Sequence, residues 1–271
     1  MGWIHGVSPR GITEWFSINE AVGILNNGKD CLGDPSHYHD VAQSKGIAVV
    51  NYNVELLSGF KLQLADYWIH HLMNTVWLQA DYSIRSFLLG FQWVSQQSSN
   101  FQNGLEINQR YFDPQFASNT VAFRLGWSRD NFQMNINYLQ GLDEGRFLFP
   151  KELGRDDFYT SLPRMWMDGL GKSQVASLNF SWQSDPLKVK TSVAYLSTPD
   201  RENFISNKYG LNDFVQCNLQ VDYTFNDVLE GLQLTFLYVT RPIYDNEGLS
   251  TSDKFYKYDL HHFNFITNIN F

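Results

Sequence analysis

The residues able to do covalent chemistry are few. His261 and His262 are adjacent near the C-terminus. A hydrolase built on either needs a serine nucleophile and an orienting side chain. Ser192 and Ser197 are available, but no nucleophile motif surrounds them, so catalysis is not expected. His37-Tyr38-His39-Asp40 has metal-ligand residue types. Without further ligands at suitable spacing it reads as a surface loop. Cys31 falls in a loop and Cys217 on an apolar strand face, so no bridge is expected. The denser chemistry is charge. Residues 142–173 carry Arg146, Lys151, Arg155, Arg164 and Lys172 against Asp143, Glu144, Glu152, Asp156, Asp157 and Asp168. Such a segment either pairs with itself or presents opposed charges to a solute.

Composition narrows what can position these residues. The 271 residues include 20 Lys and Arg against 28 Asp and Glu, a net charge of −8. Charged residues make up only 18%, while 16% are aromatic. The aromatic content excludes a disordered chain, and the acidic balance argues against general nucleic-acid binding. No apolar run reaches the roughly 18 residues of a membrane-spanning helix. The N-terminus has no basic segment followed by an apolar one, so it carries no secretory signal.

The dominant pattern has a period of two. In Val121-Ala122-Phe123-Arg124-Leu125-Gly126-Trp127-Ser128 one parity is apolar and the other small or polar, and 132–138, 176–183 and 215–224 repeat it. Alternate strand side chains face opposite ways, so each strand has an apolar face and a face of Asn, Gln, Ser and Thr. About twelve strands are predicted, near 2–8, 45–56, 60–71, 75–84, 86–96, 118–129, 132–141, 174–184, 187–197, 213–225, 231–241 and 259–271. Asp66 interrupts the alternation of Phe60, Leu62 and Leu64 and predicts a bulge or an early exit there. The connections at 57–59, 129–131, 184–186 and 226–228 are tight turns; those at 9–44, 97–117, 142–173, 198–212 and 242–258 are long. Short and long alternate except near Met73, which puts the turns on one rim and the long loops on the other. Aromatics close the apolar faces at Trp127, Trp182, Tyr195, Tyr223 and Tyr238. This predicts an all-β transmembrane antiparallel barrel with short periplasmic turns and long extracellular loops. A soluble β-sandwich gives the same alternation without the one-sided loops.

Three segments carry a resemblance. Phe149-Pro150-Lys151-Glu152-Leu153-Gly154-Arg155-Asp156-Asp157-Phe158-Tyr159-Thr160-Ser161-Leu162-Pro163-Arg164, continuing to Asp168-Gly169, resembles the Phe-Pro-Arg-Glu-Trp-Gly-Arg loop of OprD-type porins and its Phe-x-Thr-x-x-Pro-Arg continuation, with Lys151 for Arg and Leu153 for Trp. Ser8-Pro9-Arg10-Gly11-Ile12-Thr13-Glu14-Trp15-Phe16-Ser17 is similar to the same family. Phe263, Phe265, Ile269 and the terminal Phe271 resemble the C-terminal strand read by the barrel assembly machinery. The resemblance implies an eighteen-stranded barrel of which residues 1–271 supply the C-terminal two-thirds as a single domain, N-terminally truncated. A small closed barrel of twelve strands is the alternative. It also implies a bacterial outer-membrane channel for passive diffusion of small polar or charged solutes such as amino acids, carboxylates and ions. An outer-membrane phospholipase-like enzyme and a plugged structural barrel are the alternatives in function.

On that reading the candidate pore-lining residues are Arg10, Glu14, Arg124, Arg155, Arg164, Lys188, Lys190 and Asp222. Family members carry a ladder of Arg and Lys that guides anions or carboxylates; Arg124, at mid-strand, is the strand candidate, and Arg155 and Arg164 would project into a constriction. Lys188 and Lys190, beside a short turn, belong to the periplasmic mouth. In the 9–44 loop, Ser17 and Glu20 form a capping box opening a short helix through Ile24. If this loop folds into the lumen, it brings Arg10 and Glu14 toward the pore. Implied partners are outer-membrane lipid, small solutes, the assembly machinery and a homotrimeric arrangement; no cofactor, metal or nucleic acid is expected.

Overall fold

The computed structural model describes all residues except 10, 26, 227–228, 243–248, 252–253, 255–256 and 270–271. The strands are β1 (Gly2–Ile4), β2 (Gly6–Val7), β3 (Phe16–Ser17), β4 (Ile47–Leu57), β5 (Phe60–Ile69), β6 (Met73–Ile84), β7 (Phe87–Ser98), β8 (Ser118–Arg129), β9 (Phe132–Gly141), β10 (Gln174–Ser184), β11 (Leu187–Ser197), β12 (Phe214–Thr224), β13 (Leu232–Arg241) and β14 (Leu260–Ile269). Twelve of them form one antiparallel sheet in the order β1-β4-β5-β6-β7-β8-β9-β10-β11-β12-β13-β14. Every neighbour after β4 is also the next strand in sequence, so the sheet is a meander. Strands of ten to twelve residues have the length that spans a bilayer at a tilt. No helix among the described residues is long and apolar enough to cross a membrane.

β1 and β14 are the two edges and do not pair with each other among the described residues. Among the described residues the sheet is therefore open.

Two strand expectations need correction. The first strand does not run through 2–8. Ile4 pairs with Ile47, then the chain turns away because the His5 carbonyl accepts from the Ile18 amide at 3.3 Å. Gly6 and Val7 pair instead with Ser17 and Phe16. The irregularity expected at Asp66 lies elsewhere. β5 pairs without interruption through Asp66, and the register shift falls between Glu55 and Leu57 of β4, where Glu55 accepts from the Gly59 amide at 3.2 Å. The Ser58–Gly59 turn needs its glycine: φ is +81°, and a Cβ there would lie 2.3 Å from the Ser83 carbonyl oxygen.

The apolar parity is the outer, exposed one. Leu64, Leu89, Phe123, Leu125, Ile136, Leu178, Val193, Leu234 and Phe263 are all exposed. Aromatics mark both ends of this band, with Phe87, Phe132 and Tyr223 toward the short turns and Trp3, Trp68, Tyr138 and Tyr195 toward the long loops. A wide exposed apolar belt with aromatic borders is what lipid stabilises and water does not.

The buried core lies on the other, inner face, and half of it is loop. Ala65, Trp77, Val94, Ala122, Leu139, Val175, Ala194, Leu196 and Phe214 line the wall from β5 to β12. Phe147, Phe158, Tyr159, Leu162, Met165, Met167 and Leu170 of the 142–173 loop pack onto them. Ala65, Ala122 and Ala194 leave room on the wall for the large loop residues. A second cluster joins Ile18, Val22 and Tyr38 of the 9–44 loop to Ile47, Ile69, Leu72, Met73, Tyr111, Phe112 and Leu148. Here α1 (Ile18–Ala21) carries the expected capping box: Ser17 accepts from the Glu20 amide and Glu20 from the Ser17 amide.

Candidate functional site

Register builds the centre of the inner face. Asp81 of β6 pairs with Gly90 of β7, Gly90 with Arg124 of β8, and Arg124 with Asn137 of β9. On the other side Asp81 pairs with Lys61, and Lys61 with Glu55. One cross-strand row thus reads Glu55, Lys61, Asp81, Gly90, Arg124, Asn137.

Tyr159 of the 142–173 loop fills the gap above Gly90, where a Cβ would stand 2.7 Å from the phenol ring carbon and oxygen. Its hydroxyl donates to Asp81 Oδ1 at 2.8 Å, and the Arg124 guanidinium carbon lies 4.0 Å from its ring centroid. Burial first, then the bond to Asp81, raises the phenol above its usual 10, so it stays a donor at any physiological pH. Arg124 Nε donates to Asn137 Oδ1 at 3.1 Å. Asn137 Nδ2 in turn donates to Ser177 Oγ at 3.0 Å. Gln79 donates to the other oxygen of Asp81 at 2.6 Å. A cation, a neutral aromatic donor and an anion therefore stand side by side, fixed by four strands and one loop.

Inner-face glutamines hold the loop. A primary amide carries a donor and an acceptor and can pair with a peptide as another peptide would. Gln96 donates to the Leu148 carbonyl and accepts from its amide, both at 2.8 Å. Gln92 donates to the Asp157 carbonyl at 3.1 Å and accepts from the Tyr159 amide at 3.0 Å. Gln216 donates to the Pro163 carbonyl at 2.8 Å. The polar parity suggests only a wetted wall; at these three positions it is a docking surface.

The other candidates occupy separate places. Arg155 is exposed and lines, with Asp157, a cavity between the loop and β4–β6. Arg164 is also exposed, and its Nη2 lies 2.9 Å from His262 Nε2. Its carbonyl accepts from Arg241, whose Nε donates to Gln216 Oε1 at 2.7 Å. Arg155 and Arg164 thus have different neighbours, and neither shares the contacts of Arg124. Lys188 and Lys190 are on the inner face beside the 185–186 turn, in register with Asp222 and Gln220. Asp222 is buried and accepts from Thr235 Oγ1 at 2.6 Å. Glu14 is exposed between β2 and β3. Phe263, Phe265 and Ile269 are exposed on the outer face of β14. Arg10 and Phe271 lie outside the described residues. His261 Nδ1 is 2.8 Å from the Tyr238 hydroxyl, and Ser197 donates to Asp213 at 3.1 Å. Both cysteines are free, and among the described residues no cluster of three His, Cys, Asp or Glu could hold a metal.

Sequence reasoning missed Tyr159, Asp81 and Lys208. Asp81 sits on the polar parity of its strand, a signal available to inspection. Tyr159 follows the charged run of the motif with nothing to name its partner. Lys208 carried no signal. It is 2% exposed and donates to the Tyr38 hydroxyl at 3.1 Å. Its ammonium lies 4.8, 5.5 and 5.6 Å from the rings of Tyr38, Tyr111 and Tyr209. Burial lowers its pKa to about 8, against the raising effect of Asp168. Its backbone binds the Tyr38 loop again, accepting from the Lys29 amide at 3.0 Å, and adds the 142–173 loop, donating to the Gly169 carbonyl at 2.9 Å. Four long loops meet around this one ammonium. Asp168 nearby accepts from the Tyr209 hydroxyl at 2.8 Å and pairs with Lys151 at 3.9 Å.

No protein-family model matches the chain, and the curated proteins hold no match to it. Solved structures do. OccAB4 of Acinetobacter baumannii superposes with a TM-score of 0.64 at 13% identity, over 89% of this chain and 56% of that one. The outer membrane protein OprD of Pseudomonas aeruginosa gives 0.61 at 12%, over 88% and 60%. OccK8 (OprE) of the same organism gives 0.63 at 11%, over 89% and 62%. At these identities the likeness is one of fold: the chain has the fold of the OprD/Occ β-barrel porins and spans less than two-thirds of the length of these structures.

Proposed function

We propose, with the porin fold as premise, that this chain forms the wall and the constriction of a channel in the bacterial outer membrane. Small polar or charged solutes cross it by passive diffusion through a water-filled lumen. The observation that carries the reading is the 142–173 loop docked across the inner face, with Tyr159 between Arg124 and Asp81. A loop seated inside a barrel narrows it, and fixed opposite charges at the narrowing sort solutes by charge. The exposed outer belt with aromatic borders supports the membrane setting. Carboxylates and amino acids suit a site with a cation and an anion held apart by a neutral ring. Delivery to the membrane by the barrel assembly machinery, and a homotrimeric arrangement, belong to the same reading.

Ion conductance and reversal potential in a planar bilayer test it. Stable steps whose anion preference falls in Arg124→Glu support a channel with Arg124 at its constriction. Absence of conductance favours a plugged barrel, and lipid hydrolysis lost on replacing His261 favours an enzyme.

A further inference from the structure

The 162–165 turn of the 142–173 loop rests on β12, β13 and β14 at the long-loop rim. Leu162 and Met165 close it, each amide donating to the other's carbonyl, at 3.1 and 2.9 Å. Inside the turn Arg164 has φ +68°. That conformation is costly for a residue bearing a Cβ and persists where surrounding contacts impose it. The wall supplies those contacts. The Pro163 carbonyl accepts from Gln216 at 2.8 Å, and the Arg164 carbonyl accepts from Arg241. The Arg164 side chain reaches β14, where its Nη2 stands 2.9 Å from Nε2 of His262.

This last contact fixes the protonation state of the imidazole. A guanidinium offers donors and no acceptor, so the ring nitrogen facing it must accept. His262 is therefore neutral, with its proton on Nδ1. A proton on Nε2 removes the acceptor and sets two cations against each other. Histidine is the side chain that makes this change between about pH 5 and 8. Little nearby offsets the added charge. Arg241, Lys151 and Lys257 line the cavity beside Arg164. Asp168, the one carboxylate lining it among the described residues, is paired with Lys151 at 3.9 Å. Across the sheet His262 pairs with the uncharged Val239. On its own strand the nearest carboxylate in sequence is the exposed Asp259, just before β14.

We propose that His262 and Arg164 form a proton-operated latch. The neutral imidazole holds the turn on β14; protonation breaks the bond, and the Arg164 side chain leaves the wall. The latch stands on the contact geometry. Its effect on conduction rests on the channel reading, in which the long-loop rim meets the external medium.

The test uses the folded chain in detergent micelles, with histidine ring nitrogens and amide exchange followed by NMR at about pH 8 and about pH 5. At the higher pH His262 should carry its proton on Nδ1, and in Arg164→Met the preference for Nδ1 should be lost. Protection of the Met165 amide, taken against the intrinsic exchange rate at each pH, should fall at least about tenfold on acidification. His262→Gln keeps an acceptor toward Arg164 at both pH values, so there the fall should vanish. His261→Gln, beside Tyr238 on the outer face, should retain it. A neutral His262 protonated on Nε2 in the parent, protection unchanged by acid, or an equal fall in His262→Gln overturns the latch. In a planar bilayer the parent's conductance should change over the same interval and that of His262→Gln should not. No conductance at either pH overturns the channel reading and leaves the latch standing; conductance with a turn that acid never loosens overturns the latch alone.

Discussion

The guanidinium carbon of Arg124 lies over the ring of Tyr159, 4.0 Å from its centroid. The two residues come from a strand and from a loop 35 positions later in the chain (159 − 124). A cation over an aromatic face is worth about 0.5–2 kcal/mol, more as water is excluded. Tyr159 also donates to Asp81, so it keeps the two charges apart while binding both. The loop is thereby fixed to the wall by the same groups that would meet a passing solute.

Arg124→Glu replaces the only cation in contact with the Tyr159 ring among the described residues. Reversal potentials in a salt gradient should shift toward cation preference, and Arg124→Gln should shift them less. Unchanged selectivity would mean that Arg124 does not line the narrowest section.

Gly90→Val pushes a side chain into the space that Tyr159 occupies, where even a Cβ would be 2.7 Å from the ring. Tyr159 must then leave Asp81 and Arg124. Conductance should rise, and the effect of Arg124→Glu on selectivity should shrink in the double variant. Gly90→Ala should do the same to a smaller degree.

Gln92→Leu leaves the Asp157 carbonyl and the Tyr159 amide without partners. Each orphaned buried group costs about 1–3 kcal/mol. Amide exchange at Tyr159 should accelerate, while the amides of β7 itself stay protected. Equal protection at Tyr159 in variant and parent would show that other contacts hold this stretch.

Lys208 makes the loop assembly dependent on pH. Its pKa falls from 10.5 unfolded to about 8 in place, chiefly through burial. Asp168 and Glu152 oppose that fall, while Arg146 and Lys151 reinforce it. Below pH 8 the ammonium is charged both in the cage and in the opened loops. Between 8 and 10.5 only the opened state holds the proton. The closed state therefore gains as pH rises through this window, by up to about 3 kcal/mol. The buried phenols of Tyr38, Tyr111 and Tyr209 are raised above 10 mainly by burial, so above pH 10 the opened state loses protons first and the gain reverses. Protease cleavage within residues 198–213 should slow from pH 8 to about 10 in the parent. In Lys208→Met it should lose this slowing.

Phe271→Ser addresses the terminal strand. Phe263, Phe265 and Ile269 already present an apolar outer face on β14, and the C-terminal resemblance extends that parity to Phe271. The fraction of chain inserted in the outer membrane should fall. Normal insertion would remove the assembly signal from this strand.

Much of the sheet was legible in the sequence. The strand windows, the alternation of tight turns with long loops, and the exposed parity of Phe123 and Leu125 all follow from a period of two, a property of neighbouring residues. The Ser17–Glu20 capping box was legible for the same reason. Three places escaped. β1 stops at His5 because the Ile18 amide reaches its carbonyl, the register shifts at Glu55 rather than at Asp66, and the edges stay apart among the described residues. None is written in local alternation.

The site divides in the same way. Sequence alone marked Arg124 as an inner-face cation and residues 142–173 as a charged loop of a recognisable kind. Only the tertiary structure decided that Tyr159 joins Arg124 to Asp81, that Gln92, Gln96 and Gln216 clamp a loop, and that Lys208 gathers four loops. Those pairings depend on register across several strands and on shape-matched packing of a long loop, as at Gly90 beneath Tyr159. A glutamine on a polar parity looks the same in one dimension whether it faces water or a peptide; the neighbour that distinguishes the two arrives only when distant segments pack together.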